Sequence, residues 1–177
     1  MGGMIVQQLA IAHSDRLLSM TSVMSSTGEP DYGQPTPEAF AQLTAAPATD
    51  RESAIQRHLD GVRIWGSPDY IDEAQSRHDA EAAFDRAFDP AGTARQFFAI
   101  RASGSRGDDL PDVTTPSLVM HGNKDTLIDI SGGRRTAELI PGARFVEIDG
   151  MGHDYPVPLW DRWVDEVTTF CLATSDS

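Results

Sequence analysis

The feature that most constrains the fold is an alternation of short apolar runs with helical patterns in the last third of the chain. Residues 117–122 form a compact apolar run after Pro116, and residues 143–148 form a second run that alternates apolar and polar positions in its middle. Helical patterns follow these runs over 131–140 and 159–172, and a Pro-Gly pair stops the first of them. Strands that alternate with helices predict a parallel sheet covered by helices.

The start of the chain predicts the same kind of unit. Residues 2–13 have a helical pattern, and a short apolar run lies within residues 16–26, which we interpret as a strand. The helix carries apolar side chains on two sides, so we expect burial on both of its flanks. Its apolar positions are Met4, Ile5, Leu9, Ile11 and Ala12. Because Gly2 and Gly3 have no side chains, we expect another segment to approach closely there.

Residues 29–109 have a different character and are predicted to be a helical insertion between two parts of a core, 1–28 and 110–177. The insertion begins with a stretch rich in proline and glycine and continues with helical patterns. These patterns cover 49–65, 68–88 and 89–102, with Asp50, Ser67 and Asp89 as expected helix starts. The candidate buried positions are Leu59, Val62, Ile64, Trp65, Phe84, Phe88, Phe97, Phe98 and Ile100.

Charge and composition argue against several classes of partner. The formal net charge is −13 and the isoelectric point is about 4.6, which argues against nucleic acid or an anionic membrane surface. Cys171 is the single cysteine, so no disulfide can form within the chain, and its apolar helical surroundings favour a packing role. The sequence has no apolar run long enough to span a membrane and no basic start typical of a signal peptide, so we expect a cytoplasmic protein.

Polar residues follow each of the two C-terminal strands. Residues 121–125 (HGNKD) follow the first apolar run, and residues 149–153 (DGMGH) follow the second. Functional groups gather at the carboxyl ends of parallel strands. An acid after one strand and a histidine after the next is the arrangement in which a carboxylate orients a histidine base. We therefore predict that Asp125 and His153 form a catalytic pair.

Other residues compete for roles in this site. Asp129 and Asp154 are rival candidates for the acid, because each lies close in sequence to a member of the pair. His121 and Asp125 are four residues apart, a spacing that suits a metal-ligand pair on a helix rather than at a strand end. We therefore interpret His121 as structural and expect no metal and no cofactor. Ser105 stands in a partial G-x-S-x-G pattern, yet a helix precedes it where a strand is required, so we interpret its surroundings as a hinge loop.

The two loops resemble those of the α/β-hydrolase family, whose members carry H-G-x-x-D after one strand and G-x-G-H after the next. Residues 119–125 and 148–153 match these segments, and residues 110–116 (LPDVTTP) resemble the usual lead-in. Ile128 stands where many members have proline. The resemblance implies a partial α/β-hydrolase fold, made of the C-terminal strands of the parallel sheet, their flanking helices and a helical lid insertion.

The same resemblance concerns the start of the chain. In the family a strained turn, G-x-S-x-G-G, carries the nucleophilic serine, and residues 1–7 (MGGMIVQ) look like the segment that follows that serine. The resemblance implies that the serine would stand just before Met1 and that the backbone nitrogen of Met1 would be an oxyanion donor. We therefore expect a sequence that lacks its N-terminal half through a start assigned at an internal methionine, and that is inactive as it stands.

The resulting hypothesis is an ester or lactone hydrolase of small apolar substrates, in which residues 29–109 form the lid. Trp65, Phe97 and Phe98 are predicted to line the substrate pocket. The alternative is a non-catalytic chain that binds a small ligand, or that associates with a separately made N-terminal half or with a second copy of itself. The alternative follows from the helix over 2–13, whose apolar sides would otherwise be exposed.

Overall fold

A computed structural model describes residues 1–175, and its centre is a three-stranded parallel sheet. The strands are β1 (Met20–Val23), β2 (Ser117–Gly122) and β3 (Arg144–Ile148), in the spatial order β1-β2-β3. All six residues of β2 are buried, as expected for the central strand of a sheet covered on both faces. The predicted parallel α/β sheet is confirmed, and each strand lies within its predicted apolar run.

Helices precede, interrupt and follow the sheet. They are α1 (Gly2–Ala12), α2 (Pro37–Leu43), α3 (Arg51–Trp65), α4 (Glu73–Arg86), α5 (Pro90–Ser103), α6 (Ser131–Leu139) and α7 (Trp160–Ser175). The first and the last two pack on the sheet, whereas α2 to α5 all fall between β1 and β2 in the chain. No helix within the described residues is both long and apolar enough to cross a membrane.

The core lies on both faces of the sheet, because successive side chains of a strand point to opposite sides. On one face, α7 contributes Trp163 to a cluster with strand residues such as Leu118 and Met120. Leu159, Val167 and Phe170 pack against that cluster, as the helical spacing predicts, and Cys171 is half-buried nearby in the sequence. The opposite face is covered by residues of α1 and by the end of α6. Its buried members are Ala10, Met20, Leu110, Val113 and Ile140.

The buried face of α1 differs from the prediction. The helix buries Gly3, Gln7 and Ala10, while Ile5 is 57% exposed and Leu9 39% exposed. Burial on both flanks is therefore wrong for the part of the chain that the structure describes, because α1 packs on β1, an edge strand of the described sheet. A Cβ at Gly3 would lie 2.4 Å from the Ser25 Cβ, so the expected close approach occurs there, whereas a Cβ at Gly2 would meet nothing within 4 Å.

The helical insertion has its own small core, formed by Ile55, Leu59 and Ala80. Asp50 and Asp89 cap α3 and α5 as predicted, each accepting a backbone N–H from the first turn. Helix α2, which Thr36 caps, was not predicted from the sequence.

The predicted helix over 68–88 begins later than expected. Asp72 caps α4, and Ser67 binds another segment instead of capping a helix. Phe88 and Phe98 are 40% and 67% exposed, so their predicted burial is wrong. They lie in α5 or just before it, and no residue of α5 is buried.

Candidate active site

The acid of the predicted pair lies in the loop that follows β2. Asp125 is 6% exposed, and its Oδ1 accepts the backbone N–H groups of Leu127 at 2.9 Å and Ile128 at 2.8 Å. Its Oδ2 lies 2.7 Å from His153 Nδ1 and 3.3 Å from His121 Nε2. The loop therefore fixes one carboxylate oxygen with the backbone and turns the other toward two histidines.

His153 approaches from the loop that follows β3. Its Nδ1 lies against the carboxylate, so the hydrogen-bonded neutral form carries the proton on Nδ1 and leaves the Nε2 lone pair for another proton. Among residues 1–175, Nε2 has no hydrogen-bond partner in the protein, and the side chain is 24% exposed. This is the geometry of a general base oriented by a carboxylate.

The protonation of Asp125 reflects its surroundings. Burial is the largest influence and opposes ionisation. Hydrogen bonds from His121 and His153, the attraction of His153 and the backbone N–H of Ile128 act in the other direction. Together they lower the pKa of Asp125 below its ordinary value. At neutral pH the residue is therefore a carboxylate, as an orienting acid must be.

The two loops are held in contact by a glycine that lets them approach closely and by hydrogen bonds between them. A Cβ at Gly122 would lie only 2.1 Å from the Met151 carbonyl oxygen, so only glycine fits at the end of β2. The same carbonyl accepts the backbone N–H of Lys124 at 2.9 Å. Asn123 Oδ1 accepts the N–H of Gly150, a residue with φ of 74°, at 3.0 Å. The glycines of both loops thus bring the acid and the histidine together.

His121 lies directly behind the acid. The residue is fully buried, and its Nε2–H donates to the Ile128 carbonyl at 2.8 Å while also facing Asp125. Its Nδ1 has no hydrogen-bond partner among the described residues, and a Cβ at Gly133 would lie 2.4 Å from it. The structure also places no group of three or more potential metal-binding side chains within residues 1–175. His121 therefore supports the acid loop from inside the protein.

The rival acids have other partners. Asp154 accepts the backbone N–H of Ser67 at 3.0 Å, and the Ser67 hydroxyl also donates to it. Asp129 accepts the backbone N–H of Ser131 at 2.9 Å and is exposed. The structure thus brings Asp125, and neither rival, into hydrogen-bond contact with His153.

A cavity of about 560 Å³ lies beside the histidine, between the start of α1, the loops that follow the strands and the helical insertion. His153 and Phe97 are among its lining residues, but Trp65 and Phe98 are not. The predicted pocket roles of Trp65 and Phe98 are corrected: Trp65 packs against Gly61 within α3, and Phe98 is largely exposed on α5.

Several lining residues were not predicted from the sequence. They are Met4, Phe40, Leu43, Leu127 and Ile128, among others. Phe40 and Leu43 were missed together with α2, whose threonine cap and following proline were the available signal.

Two residues considered in the sequence, Met1 and Ser105, lie outside the pair of Asp125 and His153. Met1 also lines the cavity and is 44% exposed, and its role as an oxyanion donor stays a prediction. Ser105 follows α5 in an exposed turn, where its hydroxyl accepts the backbone N–H of Gly107 at 3.0 Å. The position of Ser105 after a helix agrees with a hinge loop.

The sequence of this chain is similar to those of known proteins. A family model described as the alpha/beta hydrolase fold matches residues 1–155. Two curated relatives are rhodomycin D methylesterases, DauP from Streptomyces sp. (strain C5) and DnrP from Streptomyces peucetius, each 29% identical over 179 residues. The matches cover 89% of this chain and 59% of each relative, so the chain spans about three fifths of their length.

Solved structures share the same fold. The enol-lactonase from Burkholderia xenovorans LB400 has a TM-score of 0.69 and 25% identity, with 96% of this chain and 62% of that chain covered. The esterase EaEST from Exiguobacterium antarcticum has a TM-score of 0.73 at 18% identity, with coverage of 96% and 63%. Because a family model matches residues 1–155 and the structure resembles those of these enzymes, the chain belongs to the α/β-hydrolase fold family.

Proposed function

We propose that this chain supplies the acid, the histidine and the substrate-covering helices of an ester hydrolase. The observation that carries the proposal is the 2.7 Å hydrogen bond between His153 Nδ1 and the buried Asp125 carboxylate, formed between loops that follow two neighbouring parallel strands. His153 also lines the cavity of about 560 Å³. The pair therefore has both an orienting acid and a space in which a substrate can meet the ring.

The proposed reaction uses His153 twice. Its Nε2 removes the proton from a serine hydroxyl as the serine oxygen attacks the ester carbonyl, and the imidazolium is stabilised by Asp125. The same proton then passes to the oxygen of the departing alcohol, and the acyl group remains on the serine as an acyl-serine. A water molecule, deprotonated by Nε2, attacks the acyl group, and the proton returns to the serine as the acid is released. Asp125 remains ionised throughout.

The lining of the cavity favours an apolar substrate. Met4, Leu43, Phe97, Leu127 and Ile128 contribute thioether, aliphatic or aromatic side chains to it. Relatives that share this fold include methylesterases and an enol-lactonase by name. We propose small apolar esters or lactones as the substrate class, with the helical insertion over 29–109 as the lid over the cavity.

The nucleophile is proposed to lie in a part of the family fold that precedes Met1. The chain spans about three fifths of the length of its curated relatives, which leaves room in the family fold for a segment that carries the nucleophile. A serine joined to Met1 would stand at the start of α1, at the rim of the same cavity as His153. In that arrangement the backbone nitrogen of Met1 becomes an amide donor toward the oxyanion.

A second candidate function is a partner-dependent subunit without independent catalysis. An apolar groove of about 480 Å³ runs between α1 and α5, and Ile5, Leu9 and Ile100 are among its lining residues. Such a groove suits a covering segment, which would be a separately made N-terminal half or a second copy of this chain.

Hydrolysis of p-nitrophenyl butyrate separates the two functions. We expect the 177-residue chain alone to be inactive, and the chain extended by its in-frame upstream residues to be active. His153→Ala should abolish that activity, and His78→Ala, which changes an exposed histidine of α4, should leave it intact. Activity that survives His153→Ala would refute the catalytic role. A folded extended protein with no activity, or with activity restored only by an added second chain, would favour the subunit.

A further inference from the structure

The loop that carries His153 is fastened to the helical insertion by hydrogen bonds that the proposed reaction does not use. The backbone N–H of His153 donates to the Trp65 carbonyl at 2.6 Å, and that of Gly152 donates to Ser67 Oγ at 2.8 Å. Ser67 donates its own backbone N–H to Asp154 Oδ2 at 3.0 Å and its hydroxyl to Asp154 Oδ1. The histidine is therefore bound to the last residue of α3, and both its neighbours are bound to Ser67, which follows that helix.

The two segments also pack without space between them. A Cβ at Gly152 would lie 2.4 Å from the carbonyl carbon and oxygen of Gly66, and a Cβ at Gly66 would lie 3.1 Å from Asp154 Oδ2. Ser67, which links the segments, is fully buried. In a close-packed contact of this kind a small displacement of one segment is transmitted to the other.

The acid loop is held by the same end of α3. Thr126, the residue after Asp125, donates its hydroxyl to the Ile64 carbonyl at 2.7 Å. The last carbonyls of a helix have no partner within the helix, and here Ile64 and Trp65 offer theirs to the two loops that carry the acid and the histidine. The relative position of Asp125 and His153 thus depends on the insertion as well as on the sheet.

We propose that Ser67 and Asp154 are positioning residues that set the direction of the His153 ring, an inference that rests on the proposed ester hydrolysis. Asp154 then holds the histidine loop in place and is not the acid that orients His153. Because a misplacement of about 1 Å in a catalytic group costs about 100-fold in rate, loss of this link lowers kcat while leaving substrate binding, and hence KM, nearly unchanged.

The test uses Asp154→Ala, Asp154→Asn and Ser67→Ala, with Asp165→Ala as the control because Asp165 is exposed on α7. In the 177-residue chain labelled with 15N-histidine, the Nδ1–H signal of His153 reports its bond to Asp125. In the extended, active protein, kcat and KM are measured. We expect Asp154→Ala to broaden or shift that signal and to lower kcat about 100-fold. Asp154→Asn, which can still accept from the Ser67 backbone N–H, should recover most of both.

Each outcome then has one meaning. If the folded Asp154→Ala and Ser67→Ala proteins keep both the parental signal and the parental kcat, the positioning role is overturned. If Asp154→Ala does not fold, Ser67→Ala decides by the same criteria. If His153→Ala retains activity, the proposed function fails, and the histidine signal alone still shows whether Asp154 positions the ring.

Discussion

Replacement of Asp125 by asparagine changes the site at a single oxygen. In the parent, Oδ1 accepts the backbone N–H groups of Leu127 and Ile128, and Oδ2 faces His153 Nδ1 at 2.7 Å. The asparagine carbonyl oxygen will keep the two backbone donors, because the asparagine NH₂ group cannot accept hydrogen bonds from them. The NH₂ group then takes the place of Oδ2 and meets two histidine nitrogens that both carried hydrogens.

The consequence for His153 follows from that donor count. Its Nδ1 must become an acceptor, so the proton moves to Nε2, and the nitrogen that should take the serine proton has no lone pair. In a serine hydrolase with the same pair, this wrong tautomer costs about 10⁴-fold in kcat, which corresponds to about 5.5 kcal/mol of transition-state stabilisation. We expect a loss of that size in the extended protein with p-nitrophenyl butyrate, and a KM close to the parent value.

The control is Asp129→Asn, which changes an exposed acid four residues away whose oxygen accepts the Ser131 N–H. The tautomer of His153 is read independently from 15N chemical shifts in the 177-residue chain. An Asp125→Asn protein that keeps kcat within about tenfold of the parent, or in which Nδ1 stays protonated, would refute the proposed role of the carboxylate.

Three further outcomes are expected. His153→Ala should leave no ester hydrolysis above background in the extended protein, whereas His78→Ala should match the parent. Because the pKa of Asp125 is lowered in the folded chain, its ionisation stabilises the fold above the ordinary aspartate pKa of about 3.9, and that contribution is lost as the pH falls through the folded value. The difference in Tm between the parent and Asp125→Asn should therefore shrink steadily as the pH falls below about 4; a difference independent of pH in that range would contradict this. Gly122→Ala should destabilise the chain by about 3 kcal/mol in urea unfolding, since its Cβ would lie 2.1 Å from the Met151 carbonyl oxygen, and a change below about 0.5 kcal/mol would show that the loops separate freely.

Local signals were sufficient to predict the C-terminal strands and the order of the two loops. Pro116 and the Pro-Gly pair at 141–142 mark where the apolar runs begin and the helix between them ends, and β2 and β3 lie where these signals place them. The pair Asp125 and His153 could be predicted because parallel neighbouring strands bring their carboxyl ends to one edge. Their contact thus follows from topology.

The buried face of α1 could not be predicted from hydropathy. Gln7 is fully buried because its amide donates to Ser22 Oγ at 3.2 Å and its carbonyl accepts from Arg106 Nε at 3.0 Å. Arg106, 99 residues further along the chain, is itself only 2% exposed. Polar residues can occupy a core when distant partners satisfy their hydrogen bonds, and the local hydropathy pattern does not reveal those partners.

Tertiary contacts also decided the role of Ser67 and the choice between neighbouring aromatics. Ser67 is a residue type that often caps helices, yet its hydroxyl bonds to Asp154, and Asp72 caps α4 instead. Phe97 and Phe98 are adjacent on α5, and only Phe97 lines the cavity. The sequence identifies both as candidates but cannot orient α5, because the helix buries no residue that would fix its rotation.

The most direct test of the central claim is covalent labelling of the nucleophile. The extended protein is treated with a fluorophosphonate, which forms a stable adduct with a serine activated by a histidine, and the adduct is located by mass spectrometry. We predict one labelled serine, joined to Met1, and no labelling in His153→Ala. An adduct on Ser105, equal labelling with and without His153, or an upstream sequence that encodes no serine at that position would contradict it.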